Sequence, residues 1–190
     1  MLISLDHLVK HSIEKGIQIS IQKTYGSIIP QNRNKVVDKV LEIGSDYLLF
    51  IDSDMVFEPD ALVRLLNHRR DIVSGLAVSR KAPFNPVAKD LQEDGSYLIR
   101  KGLDEGRFFS DVDMVGCAFI LIKTDVFRKL KRPWFAMPPY KDYVMGEDTY
   151  FCNLAKEAEY DICIDTSLIV GHIGEYIYTI EDYVEDTKES

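Results

Sequence analysis

Two carboxylates stand one residue apart in Asp52-Ser53-Asp54, directly after the apolar run Tyr47-Leu48-Leu49-Phe50-Ile51. Held at the end of a strand they repel: two unit charges ~4 Å apart interact by roughly 4 kcal/mol at an effective dielectric of 20. A divalent cation removes that penalty, and Mg²⁺ or Mn²⁺ takes oxygen ligands while leaving positions for substrate phosphates. Asp and Ser are also ordinary turn residues after a strand. A second acidic pair, Glu147-Asp148, follows Gly146 at a predicted helix start. Acids in a first turn stabilise the helix dipole, and a carboxylate there is equally placed to take a proton from a hydroxyl as a general base. His172 lies between glycines in Val170-Gly171-His172-Ile173-Gly174, on bare backbone, and an imidazole there suits Mn²⁺ better than Mg²⁺. Arg33, in Pro30-Gln31-Asn32-Arg33-Asn34, and the Arg80-Lys81 pair are the cationic groups near element ends. Arginine forks and lysine charges recognise phosphate and nucleotide groups, and both residue types are also common on solvated surface.

These residues need a scaffold, and hydrophobic patterning supplies one. Leu5, Leu8, Val9 and Ile13 predict a first helix ending at Gly16. Ile17, Ile19 and Ile21 alternate with polar residues and predict a half-buried strand. Val36, Val37, Val40 and Leu41 mark a helix over Asn34–Ile43 with Gly44 as its stop. The run 47–51 reads as a central strand buried on both faces. Glu58-Pro59-Asp60 opens a helix carrying Leu62, Val63, Leu65 and Leu66, and a further strand covers 71–78. The stretch 83–107 is irregular, with short strands at 87–90 and 97–100. A strand at 118–122 precedes a helix capped by Thr124. Pro133, Pro138 and Pro139 stiffen the loop before the helix at Glu147, and Ile162–Ile164 closes the series as a short strand. Strands alternating with helices predict an α/β domain with a mostly parallel central sheet flanked by helices. In such sheets ligands sit at the carboxyl ends of strands, which is where Asp52 and Asp54 fall.

The chain has 190 residues, enough for one domain and one full core. Acids outnumber bases 31 to 23, for a formal charge of −8. This balance lacks the basic face that non-specific nucleic-acid binding requires. The charge is uneven: residues 175–190 carry −5, and residues 1–174 only −3. In that tail Tyr176, Ile177, Ile180, Tyr183 and Val184 recur at helical spacing, which predicts an acidic amphipathic helix docked on the core or on a second copy in a homo-oligomer. The organisation is therefore a domain over 1–174 followed by this tail. No apolar run reaches the ~20 residues of a membrane span, and Asp6, His7 and Lys10 interrupt the N-terminus in a way no signal peptide tolerates. Cys117, Cys152 and Cys163 show no CxxC spacing, and read as free thiols of an intracellular, cytoplasmic protein.

Taken in order, Arg33-Asn34, the apolar strand, Asp52-Ser53-Asp54, Gly116, Gly146-Glu147-Asp148 and His172 resemble the GT-A glycosyltransferases, most closely the compact family 2-like enzymes of bacteria and phages. The resemblance runs from about Gln18 to Gly174. It implies a GT-A-like (Rossmann-related) fold and transfer of a sugar from a nucleotide-sugar donor to a saccharide or other hydroxyl acceptor, with Mn²⁺ or Mg²⁺ as cofactor. It implies that Asp54 ligates the metal, that Asp52 contacts ribose or sugar and reaches the metal, and that His172 completes the shell. It further implies that Arg33 approaches the nucleotide, that Glu147-Asp148 supplies the base of an inverting reaction, with Asp148 the base itself, and that Met114-Val115-Gly116-Cys117-Ala118 borders the acceptor. Trp134 and Tyr140, in the proline-rich loop, fall near where acceptors bind, where a flat aromatic can stack on a sugar face, although core packing is the favoured reading of Trp134. The family opens on a strand ending in a Pro-x-Tyr/Phe-Asn-like turn. This chain opens almost directly in its first helix, so the resemblance leaves the sheet one strand short. Two other readings fit parts of the pattern. Leu49 to Val56 also resembles the nucleophile loop of haloacid-dehalogenase-type phosphatases, with Asp52 as nucleophile, and a non-catalytic GT-A-like module for binding or assembly is the third.

Overall fold

In the computed structural model, residues 2–80, 83–174, 177–181 and 184 are described. The chain begins with α1 (Leu2–Glu14) and reaches α2 (Ile29–Ile43) through residues 17–28, which form neither helix nor strand. The strand predicted from Ile17, Ile19 and Ile21 is thus absent. Alternation marks a segment that suits a sheet, but no ladder receives this one. Ile17 and Ile19 pack against a core cluster while Ile21 stays exposed. Helix α2 starts one turn earlier than the apolar pattern indicates. Pro30 stands in its first turn, where a missing N–H costs nothing. It stops at Gly44, whose left-handed backbone (φ 79°) lets its N–H bond the Val40 carbonyl.

Next come β1 (Tyr47–Ile51), β2 (Met55–Val56), α3 (Ala61–Asn67) and β3 (Ile72–Ala77). They are followed by β4 (Ala88–Leu91), β5 (Tyr97–Ile99), a 3-10 turn at Leu103–Glu105, β6 (Phe108–Val112), β7 (Met114–Val115) and β8 (Phe119–Lys123). The chain then forms α4 (Thr124–Lys129), β9 (Pro139–Tyr140), β10 (Tyr143–Val144), α5 (Glu147–Glu157), β11 (Ile162–Ile173) and β12 (Ile177–Tyr178). Thr124 does not cap α4. It is the first helical residue, and its hydroxyl donates to the Ser45 and Asp46 carbonyls at 2.7 and 3.1 Å.

Among the described residues the strands make three sheets, of seven, three and two strands. The large sheet has the order β1-β8-β3-β11-β12, with β2 and β6 also pairing β11. This overturns the expectation of a mostly parallel sheet. Only β3 and β11 run parallel; β8 lies antiparallel between β1 and β3, and β11 pairs antiparallel with β2, β6 and β12. The physical reason lies between β3 and β8. A parallel crossover needs a helix or similar connection that returns the chain to the same end of the sheet. Residues 88–115 instead form β4, β5 and β7 of the three-stranded sheet and β6, which joins the large sheet antiparallel to β11, and β8 then enters antiparallel to β3. Strand β1, expected to be central, is an edge of this sheet, and its burial alternates rather than being complete.

Strand periodicity sends side chains to two cores. Ile72 and Leu76 of β3 and Ile120 and Ile122 of β8 join Val36, Val37 and Val40 of α2, Phe127 of α4 and Phe151 of α5. Val73 and Ala77, with Phe119 and Leu121, join Leu8 of α1 and Leu62 and Leu65 of α3 on the other side. Each fully buried Leu, Ile or Phe contributes ~1.5–3 kcal/mol relative to exposure. Strand β11 is much longer than the three residues 162–164, because a register shift between Asp165 and Ile169 absorbs the polar Asp165-Thr166-Ser167 and the ladder resumes beyond it. In the tail, Ile180 is buried in the first core and Val184 packs against it. Tyr176 and Tyr183 lie outside the described residues. No described helix is long and apolar enough to cross a membrane, and all three cysteines are free and buried.

Candidate functional site

Arg33 organises the site. It lies on the buried face of α2, three residues ahead of Val36, and is itself 6% exposed. Its Nη1 donates to the Cys117 carbonyl at 2.9 Å, and its Nη2 donates to Asp52 Oδ1 and Oδ2 at 3.2 and 3.3 Å. Nε lies 3.7 Å from Glu147 Oε1, without a hydrogen bond of its own. The guanidinium carbon sits 5.2 Å from the centre of the Phe50 ring and 5.9 Å from that of Phe135, so aromatic faces supply part of the solvation it has lost. Burial works against the charge, yet Cys117, Asp52, Asp148 and Glu147 together hold its pKa above the ordinary value. One side chain thereby ties the end of β1, the approach to β8 and the start of α5. Its donors are turned inward, onto Cys117 and the acids Asp52 and Glu147.

The Asp52-Ser53-Asp54 turn follows β1 directly. Asp52 N–H bonds the Ala118 carbonyl at 2.9 Å, and Met55 N–H closes the turn on the Asp52 carbonyl at 3.3 Å. Both Asp52 oxygens face Arg33 rather than the other metal candidates. Burial raises the Asp52 pKa, with Asp54 and Glu147 adding to the rise and Arg33 opposing it. Ser53 is exposed. The β2–β11 ladder pairs Met55 with His172, and Ile173 N–H bonds the Asp54 carbonyl at 2.6 Å. This register sets His172 Nε2 3.9 Å from Asp54 Oδ1. His172 Nδ1 is 2.6 Å from the Val78 carbonyl, which can only accept, so Nδ1 donates to it and Nε2 is the ring nitrogen turned toward Asp54. Arg80 Nη1 holds the other Asp54 oxygen at 3.0 Å. Lys81 lies outside the described residues.

Among the described residues no group of three or more His, Cys, Asp or Glu is gathered to hold a metal alone. What the chain offers is a pair, the Asp54 carboxylate and an imidazole nitrogen already oriented by a backbone carbonyl. That donor set fits a divalent cation which completes its shell with phosphate oxygens and water.

Glu147 and Asp148 occupy the first turn of α5, after Gly146. Among the described residues, three buried side-chain polar atoms have no hydrogen-bond partner, and two of them, Arg33 Nε and Asp148 Oδ1, are in this site. Such atoms are rare in folded proteins and point to a site that is completed by something else. Burial pushes the Asp148 pKa up to about 6; Arg33 opposes the rise, Glu147 adds to it, and hydrogen bonds from Cys117 moderate it. The Cys117 thiol is itself pushed well above 9 by burial, with Asp148 adding to the rise, so it stays protonated beside the carboxylate. Gly116 is required by close packing: a Cβ there would stand 2.9 Å from Val87 Cγ1, and 3.9 Å from Asp148 Oδ2. Sequence reasoning placed Gly116 and Cys117 in one acceptor-bordering run but gave Cys117 no link to Arg33 and Asp148, which its carbonyl and thiol contact. Its only sequence signal is its place next to that glycine.

Trp134 packs into the core. It is 6% exposed, donates its indole N–H to the Phe127 carbonyl at 2.9 Å and meets the Phe127 ring edge-on at 5.8 Å. Asn34 staples its loop to α2: its amide nitrogen donates to the Pro30 and Phe135 carbonyls, both at 2.7 Å, and its oxygen accepts from Trp134 N–H at 3.1 Å. Tyr140 is half-buried in the β9–β10 hairpin, edge-on to Tyr143 at 5.5 Å.

No protein-family profile matches this chain, and no curated protein does. Among solved structures the chain is similar to A197 from STIV, known from its crystal structure, at 20% sequence identity and a TM-score of 0.61. The match covers 93% of this chain and 84% of that one. At that identity the likeness concerns the fold.

Proposed function

We propose that this chain is a divalent-metal-dependent glycosyltransferase that moves a sugar from a nucleotide-sugar donor to an acceptor hydroxyl with inversion. One observation carries the reading: Arg33 joins Asp52 at the end of β1 to Glu147 at the start of α5, so the two acidic motifs belong to a single site. Asp54 and His172 would hold the metal, Mn²⁺ suiting the mixed carboxylate–imidazole pair. Bound there, the ion supplies positive charge that offsets the charge developing on the leaving diphosphate. Arg80, on Asp54 at 3.0 Å and half exposed, is positioned to turn toward the same phosphates.

Asp148 is the base. With a pKa of about 6 it is mostly ionised at neutral pH, yet remains basic enough to take a proton. It accepts the proton of the acceptor hydroxyl as that oxygen bonds the anomeric carbon. The bond from that carbon to the diphosphate oxygen breaks, and its electron pair leaves with the nucleoside diphosphate. Arg33 keeps Asp52 and Glu147 in place around this step, and the protonated Cys117 thiol orients the Asp148 carboxylate.

The phosphatase reading draws no comparable support. A nucleophilic Asp52 needs an oxygen free to attack, and both of its oxygens accept from Arg33. The test is a thermal-shift screen of nucleotide-sugars with and without Mn²⁺, in which a true donor raises the melting point by mass action. Asp54→Ala is expected to abolish the Mn²⁺-dependent shift while its ligand-free melting point stays near wild type. A wild-type chain that neither binds nor hydrolyses any nucleotide-sugar with Mn²⁺ present would sink the proposal.

A further inference from the structure

A cavity of about 360 Å³ opens beside the start of α5, reaching Gly146 and Thr149 and bounded by the β4–β5 and β9–β10 hairpins. It is within the size range of small-molecule sites. Its charge runs against that of the chain. Lys89 of β4 and Lys141 of the β9–β10 turn both line it, in a protein of net charge −8. The Lys141 ammonium donates to the Asp94 backbone carbonyl at 3.1 Å, lies 5.5 Å from the centre of the Tyr140 ring and is felt by the Asp94 carboxylate, and among the described residues neither lysine has a carboxylate within ion-pair distance. Asp94 is the only carboxylate in the lining, and its side chain accepts from Ser96 N–H at 2.8 Å within its own turn.

The remaining wall is aromatic. Tyr97 is fixed by donating its hydroxyl to Asn153 Oδ1 at 2.5 Å, and burial pushes its pKa up to about 12, so it is a neutral surface. Tyr143, 54% exposed, stands on the opposite hairpin. Tyrosine faces stack on the apolar faces of sugar rings, and an ammonium outside any close carboxylate pair recognises a carboxylate or phosphate.

We infer that this cavity binds an anionic saccharide, a pyranose ring bearing a carboxylate or phosphate, as the acceptor. Lys89 and Lys141 hold the anion, and Tyr97 and Tyr143 hold the ring. The acceptor role rests on the transferase reading above, because the cavity adjoins the turn that carries Asp148; the anion preference rests on the lysines alone.

Calorimetric titration of the full chain with a galacturonic acid disaccharide, glucose 6-phosphate and a neutral disaccharide tests it. The anionic probes are expected to bind, the neutral one roughly 10- to 100-fold more weakly, and the comparison of the first two tells carboxylate from phosphate. Lys89→Met and Lys141→Met are each expected to weaken anionic binding by about tenfold or more and to leave neutral binding unchanged. Neither residue touches the Asp54–His172 pair, so both variants keep the Mn²⁺-dependent nucleotide-sugar shift. Equal affinity for neutral and anionic probes, no anionic binding, or anionic binding that ignores both substitutions overturns the inference. Loss of nucleotide-sugar binding in wild type, with anion binding intact, instead overturns the transferase reading and leaves the cavity as an anionic-saccharide site without the acceptor role.

Discussion

Replacing Asp148 with Asn should make the protein more stable and less active. The carboxyl has its pKa raised from an ordinary 3.8 to about 6, first because it is buried and then because Glu147 is beside it. A raised acid pKa means the folded state holds the proton more tightly than the unfolded chain. The associated stabilisation is therefore complete below about pH 3.8 and is lost as pH rises through about 6. At roughly 1.36 kcal/mol per tenfold, the full cost of ionising Asp148 in the fold is about 3 kcal/mol, present at pH 8 and absent at pH 3.5. Asparagine resembles the neutral acid and escapes that cost. Urea unfolding of wild type and Asp148→Asn at pH 8 is expected to favour the variant by up to about 3 kcal/mol, with the gap closing toward pH 3.5. Transfer should fall by roughly 10²–10⁴-fold, the usual contribution of a positioned base. A variant equal to or less stable than wild type at pH 8 would refute the argument that Asp148 is held as a strained, unsatisfied carboxylate.

Three further outcomes follow from contacts already described. Arg33→Met leaves Asp52 and Glu147 facing each other without their shared cation, and chemical denaturation should show a loss of ~3–5 kcal/mol; a loss below about 1 kcal/mol would mean the hub is dispensable. Gly116→Ala places a Cβ 2.9 Å from Val87 Cγ1, and a destabilisation of ~1–3 kcal/mol is expected together with weakened catalysis, since Asp148 is the next neighbour. Asp165 accepts from Ser167 and pairs with His68 at 2.9 Å; burial opposes its ionisation, but these partners and Arg64 win and lower its pKa. Its contribution is present above the ordinary carboxylate value of about 3.9 and lost as pH falls through its lowered pKa, so Asp165→Asn should be less stable at pH 7 and converge with wild type as the pH falls below that pKa. A constant difference across that range would contradict the assignment.

The elements with dense apolar signals were legible in the sequence: the run 47–51, the fully buried β3, the strand before Thr124 and the helix at Glu147. Strand direction was not, because a hydrophobic pattern specifies which face is buried and says nothing of which way a neighbour runs. Strand β6 was missed because Ser110-Asp111 interrupts Phe108–Val112, and β11 was cut short because Asp165-Thr166-Ser167 reads as a turn while serving as an irregularity within a continuing strand. The acids of the site could be found by spacing, since each pair is local. The direction of Arg33 could not, for it depends on a carbonyl 84 residues away. Trp134 takes the core position favoured over a sugar platform, because the Asn34 staple turns it inward.

The two sides of the site differ in mechanical character. His172 is carried by β11, a twelve-residue strand bonded to β3, β6, β2 and β12, so its position is as durable as the main sheet. One wall of the cavity is the β9–β10 hairpin, which among the described residues is paired through two residue couples and joins no other strand by a ladder. Such a unit opens locally at little cost, whereas β11 moves only with global unfolding. If the transferase proposal holds, residues 139–144 are the part that can be remodelled to suit a different sugar without disturbing β11. In a directed-evolution experiment, changes in acceptor preference should collect in that hairpin and leave β11 untouched.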